Sequence, residues 1–279
     1  TAALHLLRTD ASRGVPAELQ LANGTHATEP FVFDAAIPAS AVRLVGAPGA
    51  VLRPSARVAR LFELRAGAPR VELRHLTLHG APLLVSGGSL ALHDCRFEAC
   101  EATDGGALLI TAGDVDAVRT VFARNAARRG GAVFASGGSL ASFIRCAFLH
   151  NTAGESGGAI VVDSDATLTL SGGSLLLGNA AASGVGTAVY RASATATLRY
   201  KLPAPAGRWI ESFPHETTEP LATAEELNQD YPNPCAPGLF GSDRVWTEQA
   251  SAACSGRCPA GFECPIATAQ PLPCDTGHY

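Results

Sequence analysis

One motif, written twice in nearly the same letters, constrains this chain more than any other feature. Residues 120–133 read TVFARNAARRGGAV, and residues 146–160 read CAFLHNTAGESGGAI. Four small-residue corners align with them: Gly105-Gly106-Ala107, Gly130-Gly131-Ala132, Gly157-Gly158-Ala159 and Gly186-Thr187-Ala188, at offsets of 25, 27 and 29 residues. Ahead of each corner stands an apolar residue with a second residue three places on: Phe97/Cys100, Phe122/Asn125, Phe148/Asn151 and Leu176/Asn179. Short runs rich in β-branched and apolar residues follow each corner, with the alternation of strands and no helical period.

A repeat of this length, made only of strands and glycine turns, is too long for a hairpin and has no helix for a crossover. A parallel β-solenoid accommodates it, because each coil bonds to the next at about 4.8 Å along the axis and like side chains stack. A β-sandwich would turn every 8 to about 12 residues without such a long-period spelling. The expectation is therefore an all-β right-handed parallel β-helix over residues 1–200. Phe97, Phe122 and Phe148 form its interior ladder, Asn125, Asn151 and Asn179 sit at a bend with positive φ, and paired glycines turn the chain. Some eight coils are expected, with the two SGGSL stretches at 86–90 and 136–140 as an echoed turn.

The open end of a solenoid needs covering. Residues 201–234 read as a Pro-rich cap and linker that brings Trp209 and Phe213 to the end. Thr223 with Glu226 spells a capping box for a short helix over 223–230. Residues 235–279 then carry Cys235, Cys254, Cys258, Cys264 and Cys274, the candidates for a disulfide-rich module and hence for an oxidising compartment. A zinc site is the rival, but Cys-x3-Cys lacks nearby His partners. Cys95, Cys100 and Cys146 lie in the repeats. Cys95 with Cys146 is two coils apart and too far to bond, while Cys95 with Cys100 is open between a disulfide and buried thiols.

Composition narrows the function. Apolar residues make up 47% and charged ones 16%, which is globular, and a net charge of −4 gives no drive toward nucleic acid. No apolar run is long enough to insert in a bilayer. The chain starts at Thr1 and lacks Met, so it reads as a processed product or a piece of something longer. The sequon Asn23-Gly24-Thr25 makes Asn23 a glycosylation candidate.

Phe-x-x-Asn followed by Gly-Gly-Ala resembles the polymorphic outer membrane protein type of repeat, found within pectin-lyase-like parallel β-helices. It covers residues 95–190 well and 15–95 by general pattern. In the tail, Cys235-Ala-Pro-Gly-Leu-Phe240, Cys258-Pro-Ala-Gly-Phe262 and Cys274-Asp-Thr-Gly-His-Tyr279 resemble the ephrin-receptor-like cysteine-rich module, apparently cut short. The combination is similar to that of large secreted or surface proteins of algae and protists.

That fold often degrades polysaccharide. Its hydrolases use clustered aspartates in motifs such as Asp-Asp and His-Gly, of which only His79-Gly80 occurs here. Asp114/Asp116 and Asp163/Asp165 are close carboxylate pairs, read as turn residues rather than a Ca²⁺ site, and His150 as a surface residue. Two Thr-x-Thr triplets, at 167–169 and 195–197, are too few for an ice-binding face. Arg53, Arg57, Arg60, Arg65, Arg70 and Arg74 bring positive charge that suits acidic glycans. No catalytic, metal or cofactor site is expected. The sequence points to a non-enzymatic, extracellular structural or adhesive protein whose partners are neighbouring proteins or copies of itself. The alternative is a carbohydrate-binding or carbohydrate-active β-helix acting on acidic polysaccharide.

Overall fold

A computed structural model describes Leu4, Leu7 and residues 14–200, 203–210, 226, 227, 229–242 and 246–275. It is an all-β parallel solenoid of about seven turns followed by a disulfide-linked region. Each coil contributes to a long sheet and to a narrow sheet of seven strands, and four coils also contribute to a short third sheet. The narrow sheet runs through Gly24–Thr28, Ala50–Pro54, Thr77–His79, Arg96–Glu98, Val121–Ala123, Ala147–Leu149 and Leu175–Leu177. All these pairings are parallel.

The long sheet has two arms per coil. In most coils they are separate strands, such as Val133–Ala135 and Leu140–Ile144. In two coils they merge into continuous eleven-residue strands, Leu83–His93 and Leu108–Val118. Phe31–Phe33 and Phe62–Leu64 are separate first arms of early coils, and they pair parallel with each other. The two-armed sheet also corrects the echoed turn. Ser86-Gly87-Gly88-Ser89-Leu90 lies inside a strand, whereas Ser136-Gly137-Gly138-Ser139 turns between two.

Register fixes the core. Phe97 aligns with Phe122, and Phe122 with Phe148, which aligns in turn with Leu176. The rings stack nearly parallel at 5.2 and 4.9 Å, and Phe143 meets the last two edge-on at 5.7 and 5.3 Å. All four phenylalanines are fully buried, and offset stacks of this kind add about 0.5–1.5 kcal/mol per pair beyond area burial.

The C-terminal end of the stack is closed by chain running the other way. Glu226–Leu227 pairs antiparallel with Val189–Arg191, and Tyr231 exchanges both backbone hydrogen bonds with Leu176 at 2.8 and 3.0 Å. Tyr231 also packs edge-on against Tyr200 at 5.3 Å. Strand geometry at Glu226–Leu227 replaces the expected helix, because pairing with the last coil satisfies amides that a helix would leave exposed on the sheet edge. Thr223 and Phe213 lie outside the described residues, as do Gly277, His278 and Tyr279. Trp209 is half-buried, and its Nε1 donates to Pro234 O.

Two disulfides, Cys235–Cys254 and Cys258–Cys264, tie the tail, and Cys274 is free. The tail folds back on residues 203–210. Gln249, almost fully buried, accepts from Ala204 N and donates to Ala204 O, while Gly207 N donates to Gly241 O.

Candidate functional site

The asparagine corner is the most ordered feature of the surface-to-core boundary. Asn151 Oδ1 accepts from Asn125 N and Asn125 Nδ2, both at 3.0 Å. Asn151 Nδ2 donates to Phe122 O and Asn179 Oδ1, both at 2.9 Å. Both amide hydrogens and both carbonyl lone pairs of a fully buried side chain are thereby used. Cys100 occupies the same column one coil earlier, where its N donates to Asn125 Oδ1 and its thiol faces Leu78 O.

The expected positive φ falls one residue earlier than the sequence suggests. Ala99, Arg124 and His150 have φ of 52°, 53° and 53°, and Gly178 has 61°. Asparagine is there for its amide, not for its backbone. A matching left-handed corner opens the same short strand at His75, Asp94, Arg119 and Arg145, with φ between 49° and 55°. His150 is thus a corner residue.

The glycine corner has a separate cause for each glycine. Gly105, Gly130, Gly157 and Gly186 have φ near +60°. A Cβ on Gly106, Gly131 or Gly158 would instead meet a carbonyl oxygen of the next coil at 2.0–2.2 Å. Thr187 takes the equivalent place in the last coil of the described solenoid.

Three thiols are buried and free: Cys95, Cys100 and Cys146. Burial pushes each up to about 12. Cys95, Thr120 and Cys146 precede aligned strands, and Cys146 N donates to the Oγ of Ser174 in the following coil. This second buried polar column has no single spelling in the sequence, since Cys, Thr and Ser share its four positions.

Most of the early arginines already have partners. Arg65 pairs with Glu63, Arg74 with Glu72, and Arg57 with Glu101, while Arg53 reaches His79. Glu72 also binds Arg43. Arg60 is not a surface cation. Its guanidinium bonds Asp104 O at 2.5 Å and Gly105 O at 3.0 Å, and burial lowers it to about 10 against the pull of Asp104. Farther along, Asp94 is held below the usual carboxylate range by hydrogen bonds from Arg119.

Two depressions mark the flanks. One, of about 690 Å³, lies over the short third sheet between Arg57, Arg60 and Arg128, with Glu101 at its side and Ala102, Ala126 and Ala127 on its floor. Among the described residues that line it, Glu101 is the one carboxylate. The other, of about 340 Å³, lies on the long sheet between Asp114, Asp116, Leu140, Ser142, Thr167 and Thr169. Asp114 and Asp116 belong to a strand and not to the expected turn; Asp163 and Asp165 do flank a turn. Thr167 aligns with Thr197, but Thr169 aligns with Arg199, so no double threonine row forms. Among the described residues no group of three or more His, Cys, Asp or Glu gathers as a metal would require. Asn23 is exposed at the bend between Ala17–Leu21 and Gly24–Thr28.

No protein-family model, no curated protein and no solved structure matches the chain.

Proposed function

We propose that this chain is a non-enzymatic, extracellular structural or adhesive protein whose solenoid is a stiff scaffold for lateral assembly in a surface coat, matrix or appendage. The observation that carries the reading is where its polar chemistry goes. Asn125, Asn151, Thr120 and Ser174 are buried in coil-to-coil columns, and several outer charges are neutralised in place, among them Arg74 by Glu72, Arg119 by Asp94 and Arg129 by Asp104. Such a molecule is organised for rigidity, with no convergent catalytic set among the described residues. The two disulfides support an oxidising, extracellular-type setting. The repeat and tail spellings add the resemblance to pectin-lyase-like helices with polymorphic outer membrane protein-type repeats and to the ephrin-receptor-like module.

The depression flanked by Arg57, Arg60 and Arg128 favours one second reading, a binding cleft for an acidic polysaccharide. Incubating the purified chain with acidic and neutral polysaccharides, with and without Ca²⁺, and measuring both retention of the chain and release of products, separates the two. The scaffold reading expects no products. Release of oligosaccharides would overturn it.

A further inference from the structure

The outer face of the long sheet carries charges that its own neighbours leave unpaired. Asp114 and Asp116 point outward from Leu108–Val118, both exposed, and no described residue forms an ion pair with either. Arg199 lies on the same face in Thr197–Tyr200, half-buried, and its Nε has no hydrogen-bond partner. Between them run Leu140–Ile144 and Thr167–Ser171. Of the six large apolar side chains that are exposed among the described residues, two stand on the first of these strands, Leu140 at 54% and Ile144 at 38%, so the middle of the face is its apolar part.

The register makes this face complementary to itself. Asp116, Ser142, Thr169 and Arg199 form one column, and Asp114, Leu140, Thr167 and Thr197 form the next. Consider a two-fold axis lying in the plane of contact, parallel to the strands and midway between Leu140–Ile144 and Thr167–Ser171. It reverses the order of coils and keeps position along the strand. Asp116 of one copy then faces Arg199 of the other, Leu140 faces the methyl of Thr167, and Ser142 faces Thr169. Each pair occurs twice, as an isologous contact requires.

We infer that this face, from Asp114 to Arg199, is the contact through which two copies of the chain associate. The inference rests on the scaffold reading and names its partner. Four strands at about 4.8 Å spacing and five residues at about 3.3 Å make a small footprint, so one contact is weak and a lateral array multiplies it.

Charge reversal tests it by sedimentation velocity up to about 1 mM chain, the range in which weak contacts populate. Wild type associates, and added salt weakens the association. Asp116→Arg and Arg199→Asp each weaken it about tenfold or more, since like charges then face each other. Mixing these two variants restores a one-to-one dimer, because both crossed pairs are again opposite in sign. Leu140→Asp, at an exposed position, weakens it without a charge partner, and circular dichroism checks that every variant is folded. Wild type that stays monomeric overturns the inference, as does association that Asp116→Arg leaves unchanged. The latter leaves the scaffold reading standing on another face. Acidic polysaccharide binding abolished by Arg199→Asp would instead assign the face to glycan and overturn the self-contact.

Discussion

Asn125 and Asn151 sit one coil apart, and the side-chain oxygen of Asn151 takes both the backbone and the amide hydrogen of Asn125 at 3.0 Å. Each asparagine thus binds the coil before it and the coil after it. Replacing Asn151 with Ala strands the Asn125 donors and Phe122 O in a dry corner, while Asn179 Oδ1 keeps its bond from the backbone N at 151. Each orphaned group costs about 1–3 kcal/mol, so a loss of about 3–5 kcal/mol in urea unfolding is expected after partial relaxation. Asn179→Ala, at a half-buried position that water reaches, loses less.

Glycine at 131 is required by the neighbouring coil. Its added Cβ would lie 2.2 Å from Gly158 O and 2.5 Å from Thr152 O, both backbone atoms. Gly131→Ala is expected to separate the coils locally and to lower the unfolding midpoint steeply. Gly138→Ala, with φ of +71° and nothing within 4 Å, carries only backbone strain of about 1 kcal/mol. Equal effects from the two would sink the stacking explanation.

The thiols give a pH signature. Cys95, Cys100 and Cys146 stand at about 12 in the fold against an ordinary value of 9.0. The unfolded chain releases these protons first, so stability is intact below pH 9 and falls as pH climbs from 9 toward 12. Urea midpoints across that range measure it. Under native conditions at pH 8 a thiol reagent should modify Cys274, which is half-exposed, and reach the other three only on unfolding.

Reduction should separate the tail from the solenoid. Cys235–Cys254 closes 19 residues, worth about 3 kcal/mol in the chain-entropy account. Limited proteolysis under reductant is expected to digest residues beyond 235 first, with the β circular dichroism of the solenoid retained. Collapse of the whole spectrum would show that the tail holds the coils together.

Secretory expression in eukaryotic cells should place one N-glycan on exposed Asn23, seen as a mass shift removed by glycosidase and absent in Asn23→Gln.

The coils were legible because stacking forces identical residues into identical places: the Phe column, the Asn column and the glycine corner each repeat a letter. What repeats a shape without a letter stayed hidden. The left-handed corners are occupied by His75, Asp94, Arg119 and Arg145, which are three different residue types, so no letter announces them. Arg60 looked like one more surface cation, because its use of main-chain carbonyls depends on how residues 55–61 fold over the next coils. The strand at Glu226–Leu227 was misread as helix since its partner, Val189–Arg191, is distant in sequence.

The merging of both arms into one strand at Leu83–His93 and Leu108–Val118 has a mechanical meaning. Where the arms are separate, a turn can flex like a joint; where they fuse, only a bulge around Gly88 and Gly113 interrupts a ladder that otherwise runs through both arms. Pulled or bent, the rod should therefore yield near its two ends and hold its shape around the midpoint.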